Sequence, residues 1–155
     1  MTLKRGMRRN DGYELSDDKS RLDLDMVHMF LRNAYWCKGL PSAVLKRGIE
    51  GSWCFGLYAP SQEQVGFSRL ITDYATYAYL ADVFVVEALR GSGLGGWMME
   101  QIFSQSDIKG LRRITLATRD AHRFYKKVGF APLAQPEIFM EIVRSDIYDE
   151  TKSIG

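Results

Sequence analysis

The stretch RGSGLGG, Arg90 to Gly96, decides how this chain is read. It carries two overlapping glycine patterns. Gly91, Gly93 and Gly96 spell G-x-G-x-x-G, the dinucleotide fingerprint, whereas Arg90, Gly93 and Gly95 spell R-x-x-G-x-G. The stretch follows an apolar, β-branched run, ADVFVV, and opens an amphipathic run, GLGGWMMEQIFSQ. A helix N-terminus has unpaired amides and the positive end of a dipole. Glycine lets such a backbone approach an anion closely and take positive φ. Phosphate binding is therefore expected, with Arg90 as a charged donor beside the amides.

The surroundings weigh against a dinucleotide. That fingerprint sits directly on its strand and asks for an acidic residue at the end of the next one. Here EALR intervenes, and the next strand, ITLAT, ends in Thr118 and Arg119, with Asp120 only after it. No second mononucleotide half follows. A dinucleotide-binding domain stays as the weaker alternative.

The whole chain bounds the answer. Its 155 residues, 46% hydrophobic and 26% charged, predict one globular domain with a real core. A net charge of +2 is too small to argue for nucleic acid or a membrane surface. Lys4, Arg5, Arg8 and Arg9 cluster in residues 1–12, read as a loose basic N-terminus. No apolar run follows them, so neither a secretory signal nor a transmembrane helix is expected. Cys37 and Cys54 form no disulfide framework and fit a reducing cytoplasm. With two scattered histidines, no metal site is expected.

Residues 13–144 read as a single domain and 145–155 as a polar, loose tail. The order is strand (Tyr13 to Ser16), a helix through LDLDMVHMFLRNAYW, and a second helix capped by Ser42. Three strands follow (WCFGLYA, QVGFSRLITD, YAYLADVFVV), then helix, strand (RRITLAT), a short helix ended by Gly129, and a last strand, EIFMEIV. Short early loops imply antiparallel pairing, and the later strand–helix–strand implies one parallel crossover. The expected fold is α+β, layered α/β/α, with a mixed, mostly antiparallel sheet and helices on both faces. The apolar edge of EIFMEIV could pair between subunits, which predicts a homodimer.

VFVVEALRGSGLGGWMME followed by LATRDAHRFYKKVGF resembles the GNAT superfamily of acetyl-CoA-dependent N-acetyltransferases. That family joins a strand to a helix through R/Q-x-x-G-x-G/A. Its second motif is an aromatic–Tyr pair shortly before Gly-Phe. Two positions depart from the pattern: Glu87 stands where proline is frequent, and Thr118 where many members have an asparagine that contacts the cofactor arm.

The resemblance implies acetyl-CoA as co-substrate, its pyrophosphate on the loop of Arg90, Gly91, Ser92, Gly93, Leu94, Gly95 and Gly96. It implies that Val83 and Val85 present backbone groups to the pantetheine arm, with Thr118 and Asp120 nearby. Tyr125 is the expected general acid for the departing thiolate. Tyr79 occupies a position where some members place a catalytic glutamate. Asp82 is a candidate proton acceptor or ammonium ligand, although strand alternation points it away from the face of Tyr79. Tyr35, Trp36, Asp73, Tyr74 and Tyr77 are candidates for the acceptor pocket, where aromatic walls and carboxylates suit a cationic amine. The acceptor would be a small-molecule amine or a peptide or protein amine. A CoA or acyl-CoA sensor of the same fold remains open, because no base stands out.

Overall fold

The computed structural model describes residues 6–149. The strands are β1 (Met7–Arg8), β2 (Glu14–Ser16), β3 (Trp53–Tyr58), β4 (Gln64–Thr72), β5 (Tyr77–Val85) and β6 (Arg113–Thr115). They form one sheet in chain order. Every neighbouring pair is antiparallel except β5 and β6, which are parallel. The helices are α1 (Leu24–Leu31), α2 (Ser42–Glu50), α3 (Leu94–Phe103), α4 (Ser106–Lys109) and α5 (His122–Lys126).

Both faces of the sheet are covered, as the alternation of apolar residues requires. On one face Val27 and Leu31 of α1 and Leu45 and Ile49 of α2 pack on Cys54, Phe67 and Phe84. On the other, Leu94, Met98, Met99 and Ile102 of α3 pack on Phe55, Leu70 and Leu80. Asp23 caps α1 by accepting from Met26 N–H at 3.0 Å. Ser42 does not cap α2 but is its first residue. Extended Pro41 precedes it, and the Pro41 carbonyl accepts the first helical bonds, from Val44 and Leu45.

Three further expectations need correction. The N-terminal arm is not wholly loose: Met7 and Arg8 pair with Leu15 and Glu14, and Arg8 Nη2 lies 3.3 Å from Glu14 Oε2. Lys4 and Arg5 lie outside the described residues. EIFMEIV is not a strand of this sheet; Pro136–Ile138 forms a 3-10 turn and residues 139–144 have no regular structure. The start of the tail is not free either. Tyr148 packs beside the cluster of α1 and α2, its carbonyl 3.0 Å from where a Cβ on Gly39 would stand. Among the described residues no helix is long and apolar enough to cross a membrane, and no cluster of His, Cys, Asp and Glu could hold a metal ion.

Candidate active site

The cleft arises where two parallel strands part. β5 and β6 pair at Tyr77–Arg113, Ala78–Ile114 and Tyr79–Thr115, and pairing stops there. β5 runs on to Val85, so from Leu80 its outer edge faces Leu116, Ala117 and Thr118 across a cleft of about 1580 Å³. A bulge accompanies the parting. Phe67 pairs with Phe84 and Arg69 with Ala81, so Ser68 alone opposes Asp82 and Val83. Asp82 takes φ 58°, a left-handed conformation that aspartate tolerates better than most residues.

The bulge reverses the facing of the strand beyond it. Leu80 packs with α3, whereas Phe84, which alternation would put on the same face, packs with α1 and α2. Asp82 therefore shares the cleft with Tyr79, contrary to the alternation argument. Burial first, and then the Asp82 charge, raise the Tyr79 phenol above its ordinary value.

At one end of the cleft lies the glycine loop. A 3-10 turn, Glu87–Leu89, separates it from β5. Gly91 and Gly93 have φ 80° and 81°, and Gly93 precedes α3. A Cβ on Gly91, Gly93 or Gly96 would meet no atom within 4 Å, so these glycines leave open space over the backbone. The amides of Leu94, Gly95 and Gly96 precede the first helical bond, Trp97 N–H to Gly93 O at 3.0 Å. Arg90 donates from Nε to Val85 O at 3.4 Å, which ties the loop to the open strand. Val83, Val85, Arg90 and Gly95 line the cleft. The loop thus fits a phosphate-bearing ligand that runs along β5.

The opposite wall is the connection from β6 to α5. Thr118 Oγ1 accepts from Ala121 N–H at 3.0 Å, and Thr118 and Asp120 line the cleft. Tyr125 also lines it, edge-on to Phe124 and Phe130 at 5.0 and 5.9 Å. Gly129, at φ 105°, ends the turn, and Phe130 N–H reaches back to Tyr125 O at 3.2 Å. Burial, and then the neighbouring Tyr35, push the Tyr125 phenol up to about 12. Tyr35 and Trp36, from the α1–α2 loop, form the rim. Arg119 stacks 3.7 Å from the Tyr35 ring, and its N–H donates to Tyr35 Oη at 3.1 Å. This bridge across the cleft mouth was not foreseen, because nothing in the sequence pairs residues so far apart.

Each oxygen of Asp82 has a donor. The carboxylate accepts from Arg69 Nε at 2.9 Å and from Trp36 Nε1 at 3.0 Å, and Arg69 Nη1 donates to Ser52 Oγ at 3.0 Å. Asp73, Tyr74 and Tyr77 do not line the cleft; they build the β4–β5 hairpin. Asp73 accepts from the amides of Ala75, Thr76 and Tyr77 and from the Thr76 hydroxyl, which holds its carboxyl far below the usual range. Tyr74 packs against Trp53 with ring centroids 5.9 Å apart, and the Tyr77 hydroxyl bonds to that of Thr115. Arg69, Arg119 and Tyr148 are cleft residues that sequence reasoning passed over.

The family model for an acetyltransferase (GNAT) domain matches residues 50–132, which run from the end of α2 past α5. The chain belongs to the GNAT family of acetyltransferases. A candidate acetyltransferase of Gibberella zeae is 34% identical over 140 residues, covering 76% of this chain and 78% of that one. A histone acetyltransferase of Glycine max is 29% identical over 118 residues, covering 76% of this chain and 47% of its own length. The crystal structure of a candidate GNAT acetyltransferase from Xanthomonas campestris superposes with a TM-score of 0.85 at 40% identity, over 93% of this chain and 99% of the other. The GNAT assignment, a sheet with a single parallel strand pair, and the turn between strand and glycines displace the dinucleotide alternative.

The Asp82 contacts separate two roles for that residue. Its side chain is 7% exposed and that of Arg69 18%, so Asp82→Ala strands a largely buried guanidinium. The expected cost is about 3 kcal/mol, read from urea unfolding. A variant with undiminished stability and lost turnover would make Asp82 a proton acceptor instead.

Proposed function

We propose that the protein moves the acetyl group of acetyl-CoA to the nitrogen of a primary amine, by direct attack within the β5–β6 cleft. The observation that carries this reading is one continuous cleft. It joins Arg90 and Gly95 of the glycine loop, the unpaired edge of β5 and Tyr125.

The donor's pyrophosphate suits the amides of Leu94 to Gly96 and the Arg90 guanidinium, where fixed dipoles and a charge act together. Its pantetheine arm carries amides that can bond the edge of β5 near Val83 and Val85 as an added strand would. The thioester would then end near the bulge, between Tyr79 and Tyr125. Attack of the neutral amine forms the N–C bond and breaks the C–S bond. The nitrogen sheds its proton to water; the Asp82 oxygens already accept from Arg69 and Trp36.

Tyr125 acts at the leaving sulfur. A phenol near 12 remains protonated wherever the enzyme works, so its O–H is always present as a donor. It is a weaker acid than an ordinary thiol, at about 8.5, so it stabilises the thiolate chiefly by a hydrogen bond. Full transfer of the proton is uphill, and solvent completes it. Tyr35, Trp36 and Tyr79 give the acceptor end aromatic walls, which suit an amine or its ammonium form. A small molecule and an exposed lysine or N-terminus share that chemistry. The two mostly buried thiols, both raised by burial, suit work in a reducing cytoplasm.

Two variants test the parts separately. Gly93→Asp puts bulk and negative charge over the loop; its side chain faces open space, and the strain of an aspartate at φ 81° costs about 1–2 kcal/mol, less than a domain's stability. Acetyl-CoA affinity by calorimetry should fall by at least about tenfold, or 1.4 kcal/mol. An unchanged affinity would remove the phosphate loop from the account. Tyr125→Phe keeps the ring and removes the donor. With any amine that releases free CoA, kcat should fall about 100-fold while acetyl-CoA affinity holds. Unchanged kcat would leave Tyr125 a packing residue. Tight CoA binding with no turnover on any amine would favour a sensor.

A further inference from the structure

Among the described residues three arginines line the cleft, Arg69, Arg90 and Arg119. Arg69 is paired with Asp82 at 2.9 Å, and Arg90 sits at the glycine loop, tied to the Val85 carbonyl. Arg119, at the mouth, is unmatched. Among the described residues its guanidinium forms no ion pair and donates no hydrogen bond. Asp120, next in the chain, also lines the cleft and does not pair with it.

The position of that guanidinium is nonetheless fixed. It stacks 3.7 Å from the centre of the Tyr35 ring, and the backbone N–H of Arg119 donates to Tyr35 Oη at 3.1 Å. Tyr35 is held edge-on to Trp36, with ring centroids 5.1 Å apart, and Trp36 Nε1 is anchored on Asp82. Ordering a free arginine side chain costs rotamer entropy. Here the stack has ordered it before a ligand arrives, which favours binding. Stacking occupies the faces of the planar cation and leaves its N–H edge open. That edge fits a group with two anionic oxygens.

The location gives such an anion a meaning. Tyr35 lies near enough to Tyr125 to raise its phenol. Arg119 therefore stands one ring beyond the place where the proposed amine meets the thioester. An unmatched cation there repels a diamine and attracts an acceptor whose far end is negative. Asp82 offers no counterweight, because Arg69 neutralises it.

We infer that the acceptor is an amine carrying an anionic oxygen group, a carboxylate or a phosphate, which Arg119 holds at the mouth while the amine reaches in past Tyr35. This rests on acetyl transfer within the cleft and names the class of acceptor for it.

Matched amines test it on the full chain. ω-Amino acids of increasing length are compared with their neutral amides, aminoalkyl phosphates with the corresponding amino alcohols, and diamines supply the opposite charge. At the best length kcat/KM should favour the anionic member by about tenfold. Preference within the carboxylate set alone, or the phosphate set alone, identifies the group. Arg119→Gln should bring the ratio of anionic to neutral acceptor close to one, Arg119→Lys should keep part of it, and Arg119→Glu should turn it toward the diamine. The Arg119 side chain is exposed and its bond to Tyr35 Oη comes from the backbone, so these variants keep the fold. Damage to the site would slow all acceptors alike and would not reverse their order. Calorimetric binding of the same amines to the CoA-loaded protein reads the preference without turnover. Tighter binding of anionic members, lost in Arg119→Gln, supports the inference even where no acetyl group moves, a result that would sink acetyl transfer alone. No binding by any anionic member, affinity equal to that of its neutral partner, or a preference that survives Arg119→Glu overturns it.

Discussion

The bulge at Asp82 is the constraint on which the site depends. Two strands that begin as parallel neighbours would, if pairing continued, bury the β5 edge under β6. The extra residue opposite Ser68 follows just beyond the last β5–β6 pair, Tyr79–Thr115, and turns Asp82 toward Tyr79. A left-handed aspartate in mid-strand is costly, and the surroundings fix it in place. Arg69, from the neighbouring strand, and Trp36, from the loop after α1, both donate to its carboxylate, and Ser52 steadies the arginine. The same carboxylate thus shapes the strand and pins the rim of the cleft.

The rest of the site uses backbone more than side chains. Free amides at the start of α3 and along the parted strand are fixed dipoles, already oriented before a ligand arrives. In the proposed mechanism few side chains are then needed for the donor: Arg90 at the phosphates and Tyr125 at the sulfur. The proposed acceptor end is built differently, from Tyr35 and Trp36 of the α1–α2 loop and Tyr79 of β5, with ring contacts and the Arg119 bridge at its rim. On the proposed function, backbone contacts recognise what all donors share, while these side chains face the amine.

What could be read from the sequence follows the same division. The glycine loop was legible because positive φ at Gly91 and Gly93 demands a rare residue, and the demand shows in the letters. The strands and most helices were legible from their apolar periods. The bulge was not, because alternation assumes an unbroken ladder, and so Asp82 was assigned to the wrong face. Asp73, Tyr74 and Tyr77 look in sequence like an acceptor pocket. Only the folded turn reveals an aspartate spent on three amides and a tyrosine spent on Trp53. EIFMEIV has a strand's composition, but a strand also needs a neighbour, and among the described residues it pairs with none.

The central claim is that the parted edge of β5 and the first turn of α3 together hold the donor. Amide hydrogen exchange with and without CoA reads both segments in one experiment. The account predicts that CoA slows exchange at Leu80 to Val85 and at Ser92 to Gly96, more than in β2 and β3 on the far side of the sheet. Protection at the loop alone, with the β5 edge exchanging as it does without ligand, would contradict it.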